Sequence, residues 1–380
     1  MQLVRQCSGR GAVVCDTVLP WHSGRVSAQA RTAAGRLPAS PGVYRFRDDA
    51  DRILYIGRAA SLRRRVASYW GDLGDRPHLT RMVARINRVE AVRCDSEHEA
   101  AWLERNLLER GLPRWNRTPG GQETEVCILL DSSARSPGLS VRHCAGRPAE
   151  ARPGGPRPFG PYLGGGRVRL AVAGLLRVFP LGYASDLAAG TAADLAAQRG
   201  VSGADRQELA GRLAAILERD PATVTSARVL LTGRRDGAAR AEAFELAARI
   251  QAELDALDWV TCPQRAASFA DADADVAGWA DGVLVRFEIR AGRLADWRQS
   301  QQTRAAAQRW LERTPPGWRA WADRNAALAA SLAAPRRQAS ESVAGSSRLA
   351  GSSSLAGPES LAGSESLAGY GSGPACEITP

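Results

Sequence analysis

Two tyrosines, Tyr44 and Tyr55, an arginine soon after them, Arg65, and further along a glutamate and an asparagine, Glu104 and Asn116, are the residues whose types and spacing could do chemistry together. A carboxylate can hold a hard divalent cation through oxygen. A guanidinium neutralises an anion with a planar fork of donors. A phenol accepts a proton near neutral pH only if positive charge lowers its ordinary pKa of about 10. Glu104 is the most telling of the set. At about 100° per residue on a helix, it falls inside the apolar stripe of Ala100, Leu103, Leu107 and Leu108, not on the far side with Arg105 and Glu109. An inward carboxylate is costly unless it meets a cation or a metal. On an earlier helix Arg65 flanks the stripe of Leu62, Val66 and Tyr69, whereas Arg64 points away. One acid and one guanidinium therefore look towards the tyrosines, although each tyrosine taken singly would pass for an ordinary core aromatic.

The elements that must position these side chains are readable around them. The run from Gly42 to Phe46 breaks at Asp48-Asp49-Ala50-Asp51 and resumes as Ile53 to Gly57, which predicts a tight hairpin with an acidic turn. Ser61 is an N-cap candidate for a helix over 61–70. A helix over 79–88 and a strand over 89–95 follow. Ser96 with Glu99 forms a capping box for a helix over 97–110, which Gly111 and Pro113 end.

Gly42-Val43-Tyr44 followed by Tyr55-Ile56-Gly57 resembles the GIY-YIG nuclease signature. The flanking stretches LPASPGVYRF, ILYIGRAASLRRRVASYW and EHEAAWLERNLLERGLPRWN narrow the resemblance to the N-terminal nuclease domain of the excinuclease C family, the nuclease component of the excinuclease ABC system. The resemblance implies an α/β (α+β) fold, a small antiparallel sheet flanked by helices. It also implies an endonuclease that hydrolyses DNA phosphodiesters in nucleotide-excision repair, with a single incision on the 3′ side of a lesion. Carried over residue by residue, Tyr44 is the tyrosine that takes a proton from water, and Arg65 the catalytic arginine that neutralises the scissile phosphate. Glu104 is the ligand of Mg²⁺ or Mn²⁺, and Asn116 braces the site. Tyr55 and Tyr69 have hydrogen-bonding and orienting roles. Arg58 stands where bacterial members usually carry Lys, so a fork replaces a point charge. Arg58 and Arg65 are the charges available to lower the pKa of Tyr44. A different class stays open, a catalytically silent DNA- or protein-binding module derived from that nuclease.

The rest of the chain bounds this reading. The 380 residues allow two or three domains, and 44% hydrophobic content suffices for cores. All 51 basic residues are Arg, which a GC-rich genome would explain, while the formal charge of +11 favours a polyanionic partner such as damaged duplex DNA. The seven cysteines show no C-x-x-C and no regular spacing, which argues against a zinc site or disulfide framework. A reduced, cytoplasmic setting is expected. No run suits a membrane span, and Asp16 interrupts the N-terminal apolar stretch, so no signal peptide is expected. His98-Glu99 lacks the second histidine of a zinc-protease motif, and His22, His78 and His143 have no partner pattern.

In order, residues 1–36 read as an extension and 37–117 as the nuclease domain. Residues 118–200 read as a connector with strand-like runs at Val126–Asp131 and Leu139–His143. Its Pro158 to Tyr162 and Leu176 to Pro180 resemble the family's middle segment, but Leu181 to Gln198 lacks the family's cysteines, so no iron-sulfur cluster is expected. Residues 201–260 resemble the helical hairpin through which the family contacts its helicase partner, excinuclease B, and an ordinary antiparallel helix pair fits as well. Residues 261–334 read as a small hairpin, with strands either side of Ala291-Gly292, followed by helices. Asp271, Asp273 and Asp275 before it invite a metal reading, but alternation with Ala is better explained as solvated linker. Residues 335–380 repeat Leu or Val before Ala-Gly on a six-residue beat, too few repeats to bury a core, and read as a disordered tail.

Overall fold

The computed structural model describes residues 29–71, 77–117, 123–144, 155–269 and 272–333. The proposed tail over 335–380, Asp271 and most of the N-terminal extension lie outside the described residues.

The first sheet has the order β2-β1-β3, all antiparallel, from β1 (Gly42–Arg47), β2 (Ile53–Ala59) and β3 (Arg88–Arg93). Alternation along β1 sends Tyr44 and Phe46 to one face and Val43 and Arg45 to the other. The hairpin turn closes as its acids suggest: Asp48 accepts from Arg52 N at 2.9 Å, and Asp51 takes the left-handed conformation at φ 62°. Gly57 lies opposite Tyr44, and a Cβ there would collide with the tyrosine ring, so the glycine is what lets the ring lie flat across β2.

The tyrosine face is covered by α2 (Leu62–Ala67), which buries Leu62 and Val66, and by the 3-10 turn Ser68–Trp70, which buries Tyr69. Residues 29–35 form a further helix, α1, whose Ala30 and Ala34 join this core together with Leu37. Small alanines let that helix lie close against the residues of the sheet. In place of the helix expected over 79–88, only α3 (Thr80–Val83) forms after a 3-10 turn.

The opposite face receives α4 (Glu97–Arg110), in which only Glu97, Glu109 and Arg110 are exposed. Ala100, Leu103, Leu107 and Leu108 are buried, and so are His98, Glu99, Trp102 and Asn106. The second buried side meets β7 (Ala274–Ala280), β8 (Val283–Arg290) and β9 (Arg293–Gln301), a sheet of order β7-β8-β9. The β8–β9 hairpin turns at Ala291-Gly292, both at positive φ, as the sequence suggests. β7 is additional to it, and its alternating acids have structural partners: Asp275 pairs with Arg290 at 3.2 Å and Asp273 accepts from Ala291 N at 2.8 Å. Helices α10 (Arg304–Arg313) and α11 (Pro316–Ala333) cover this sheet, with Trp321 buried against Phe287.

The segment expected as a connector is itself folded. β4 (Glu125–Asp131), β5 (Gly138–His143) and β6 (Arg157–Leu163) form a sheet of order β5-β4-β6. Pro158 and Pro161 sit on its edge strand, where a missing donor is tolerated. Helices α5 (Gly165–Val178), α6 (Thr191–Gln198), α7 (Arg206–Leu217), α8 (Pro221–Arg240) and α9 (Phe244–Thr261) follow, and a single apolar core joins the sheet to α5, α7, α8 and α9.

Candidate functional site

β2 is an edge strand, so alternate backbone groups along it face away from β1 and need partners. Side chains and backbone from α4 and the segment after it supply them. Trp115 N donates to Leu54 O at 3.3 Å. Asn116 accepts from Ile56 N at 3.0 Å and donates to Ile56 O at 2.8 Å. Glu104 Oε1 accepts from Arg58 N at 3.1 Å. The two residues singled out far downstream thus meet the same strand two positions apart, which explains how the glutamate is anchored.

On the neighbouring face the three tyrosines form one cluster. Their ring centroids are 5.9 to 6.2 Å apart, and the hydroxyls of Tyr44 and Tyr69 are 2.8 Å from each other. Burial, with Tyr69 and Tyr55 alongside, pushes the Tyr44 hydroxyl well above the usual phenol range, and Arg65 opposes the shift. Burial likewise raises Tyr55. Arg65 lies 5.8 Å from the Tyr69 ring centroid, and its charge favours the ionised form of Tyr44. Arg65 is the cation acting on Tyr44. The Arg58 guanidinium is engaged elsewhere, so the expectation that both arginines bear on Tyr44 is corrected.

Arg58 bridges two carboxylates. Its Nε lies 3.3 Å from Glu104 Oε2, and its terminal nitrogen 3.0 Å from Glu123 Oε1. Burial raises the Glu104 carboxyl above the ordinary range, and Arg58 opposes that rise. Glu123 is a participant that sequence reasoning misses. It follows a glycine-rich stretch, and nothing in its spacing marks it. Arg58 and Glu123 also border a cleft of about 430 Å³, lined by Glu97, Arg167 and Trp259 among others.

Within this set Glu104 is the side chain whose chemistry could hold a hard divalent ion, once the Arg58 guanidinium leaves Oε2. Glu104 offers one oxygen, Oε2, held only by the long contact to Arg58, while Oε1 is fixed by the backbone of β2. Such an ion takes one or two carboxylates and keeps several waters. Among the described residues no group of three His, Cys, Asp or Glu side chains is placed to hold a metal, and no helix is long and apolar enough to cross a membrane.

Polar groups on α4 that the sequence does not flag hold the site's scaffold. His98 Nε2 accepts from Trp102 Nε1 and Leu163 N, both at 3.2 Å, which gives this histidine a packing role. Burial keeps this imidazole neutral by lowering its pKa to about 3. Ser96 accepts from Glu99 N at 3.0 Å, but the glutamate does not complete the expected capping box; its two oxygens accept from Asp95 N and Arg265 N. On the sheet face away from the tyrosines, Arg45 is buried between Glu90, Asp296 and the Trp297 ring.

With this geometry in place, comparison with known proteins gives a consistent result. Residues 40–117 match the UvrC-like GIY-YIG domain. The chain is 38% identical over 146 residues to UvrABC system protein C of Geobacter metallireducens, covering 38% of this chain and 23% of that protein. It is 30% identical over 258 residues to the same protein of Syntrophotalea carbinolica, covering 64% of this chain and 40% of that protein. It is 32% identical over 300 residues to that of Anaeromyxobacter sp., covering 72% of this chain and 40% of that protein. The chain thus spans between about a quarter and two fifths of the length of these relatives. No solved structure gives a significant match. Residues 40–117 are a GIY-YIG domain of the UvrC-like kind, and similarity to UvrABC system protein C extends from it over most of the chain.

Proposed function

We propose that this protein is a metal-dependent DNA endonuclease that makes a single incision, on the 3′ side of a lesion, in nucleotide-excision-type repair. One observation carries the reading. The hydroxyls of Tyr44 and Tyr69, the Arg65 guanidinium and the Glu104 carboxylate belong to a matched GIY-YIG domain, and Glu104 is fixed to the strand that carries Tyr55.

In this reading Glu104 Oε2 holds Mg²⁺ or Mn²⁺, which when bound supplies Lewis acidity to a phosphate oxygen. Arg65 neutralises the phosphate beside Tyr44. Tyr44 occupies the proton-accepting position, and Tyr69 orients its hydroxyl. In the free protein the raised pKa keeps Tyr44 protonated at neutral pH, so its use as a base is favoured by alkaline conditions. Asn116 holds β2, and Tyr55 packs the cluster. The α8–α9 pair leaves Val229, Leu230, Phe244 and Leu246 exposed, a surface suited to the excinuclease B helicase.

One feature favours the alternative of a silent binding module: Arg58 contacts both Glu104 oxygens. An incision assay decides between them. End-labelled lesion-bearing duplex is incubated with Mg²⁺ or Mn²⁺, with and without the helicase. A single 3′-side product that disappears with chelator is expected; retained DNA binding with no product from any substrate would leave only the binding module.

A further inference from the structure

We infer that Glu123 sets the cation affinity of Glu104 by drawing the Arg58 guanidinium away from it. The inference rests on the nuclease reading and adds a positioning residue to it.

Both Glu104 oxygens are engaged by one residue. The backbone N–H of Arg58 takes Oε1 at 3.1 Å, and its Nε approaches Oε2 at 3.3 Å. The backbone bond is compatible with an ion on the other oxygen. The guanidinium is not, because two positive groups on one carboxylate oxygen repel strongly at such range. Cation binding therefore requires the Arg58 side chain to leave Oε2 while its backbone stays.

Glu123 gives the side chain somewhere to go. It already holds the far end of the guanidinium through two contacts, at 3.0 and 3.5 Å. Side-chain exposure is 40% for Arg58 and 44% for Glu123, so neither is locked by packing. Both border the cleft of about 430 Å³, which leaves room for the fork to turn. The Glu123 backbone is held, since Arg105 donates to its carbonyl oxygen, while its carboxylate stays free to follow the guanidinium. Glu97, on the first turn of α4, adds negative potential around Arg58, but Glu123 is the carboxylate that takes both terminal nitrogens of the guanidinium, while Nε faces Glu104. Without Glu123, Arg58 settles on Glu104 and competes with the ion.

The test is Mn²⁺ binding to the DNA-free protein, read from the electron paramagnetic resonance signal of unbound Mn²⁺. Wild type is compared with Glu123→Gln, Arg58→Ala, the double variant and Glu104→Gln. Glu123→Gln should weaken binding roughly two- to fivefold, the scale of a part-exposed ion pair. Arg58→Ala should tighten it, and adding Glu123→Gln to Arg58→Ala should bring little further change. In cleavage, Glu123→Gln should raise the metal concentration for half-maximal rate and leave the saturating rate unchanged. An unaltered Mn²⁺ affinity in Glu123→Gln, or an equal loss with and without Arg58, overturns the inference. If Glu104→Gln binds Mn²⁺ as wild type does, the nuclease reading itself has failed, a result distinct from failure of the Glu123 role.

Discussion

Glu104→Gln separates the strand-capping contact that this side chain makes from the metal-holding role proposed for it. The glutamine keeps one acceptor oxygen for Arg58 N, so the edge of β2 stays capped. It loses the ion pair with Arg58, whose partners are 40% and 22% exposed, a loss of about 0.2–1 kcal/mol. Melting should therefore move by no more than about 4 °C. Cleavage should fall at least about 100-fold, about 2.7 kcal/mol of transition-state stabilisation, because the amide cannot hold a divalent cation in place. Glu104→Ala is the companion: it also removes the acceptor from Arg58 N, with a stability cost of up to about 1–3 kcal/mol. The assay is nicking of labelled duplex under saturating Mn²⁺, run beside thermal melts of both variants. A glutamine variant that nicks within about threefold of wild type would refute the reasoning and leave Glu104 as a strand-edge cap.

Tyr44→Phe keeps the ring and should lower the rate by roughly 10²–10⁴. Because the Tyr44 pKa is raised, its phenolate fraction grows about tenfold per pH unit below that value. The wild-type rate should accordingly climb from neutral to alkaline pH, and the phenylalanine variant should lose that slope; normal turnover by the variant would exclude the base role. Glu99→Gln places an amide N–H₂ against Asp95 N or Arg265 N and should destabilise the fold by about 1–3 kcal/mol in urea unfolding. Burial raises the Glu99 carboxyl to about 7, so the folded state takes up its proton more readily than the unfolded chain. Stability from this group is therefore largest below the ordinary carboxylate range and is lost as pH rises through about 7, a dependence the Gln variant should lack.

What can be read in advance is what local chemistry determines. The acidic turn, the β-branched runs beside it and the Ser96 cap identify β1, β2 and the start of α4 without distant contacts. The stripe on α4 likewise points Glu104 towards β2. The other side of α4 is not legible, because its polar residues find partners far along the chain. Asn106 donates to Ala266 O and Leu294 O, Glu99 accepts from Arg265 N, and His98 accepts from Leu163 N. A polar residue whose partner is a remote backbone group looks solvated in a helical wheel. One signal is present: His98, Trp102 and Asn106 fall at i, i+4 and i+8, a second stripe with a large aromatic at its centre.

Arg45 alternates with Tyr44 along β1, so the strand that presents the tyrosine to the site must turn a guanidinium to the opposite face. A guanidinium can be buried there only with partners, and β3 supplies one directly across, since Arg45 is in register with Glu90. Asp296 and the Trp297 carbonyl complete the set from β9. The tyrosine cluster and the packing of the β7–β9 sheet thus lie on two faces of one strand. With Tyr44 on the site side, Arg45 falls on the other, where it ties the first sheet to a sheet formed some 250 residues later.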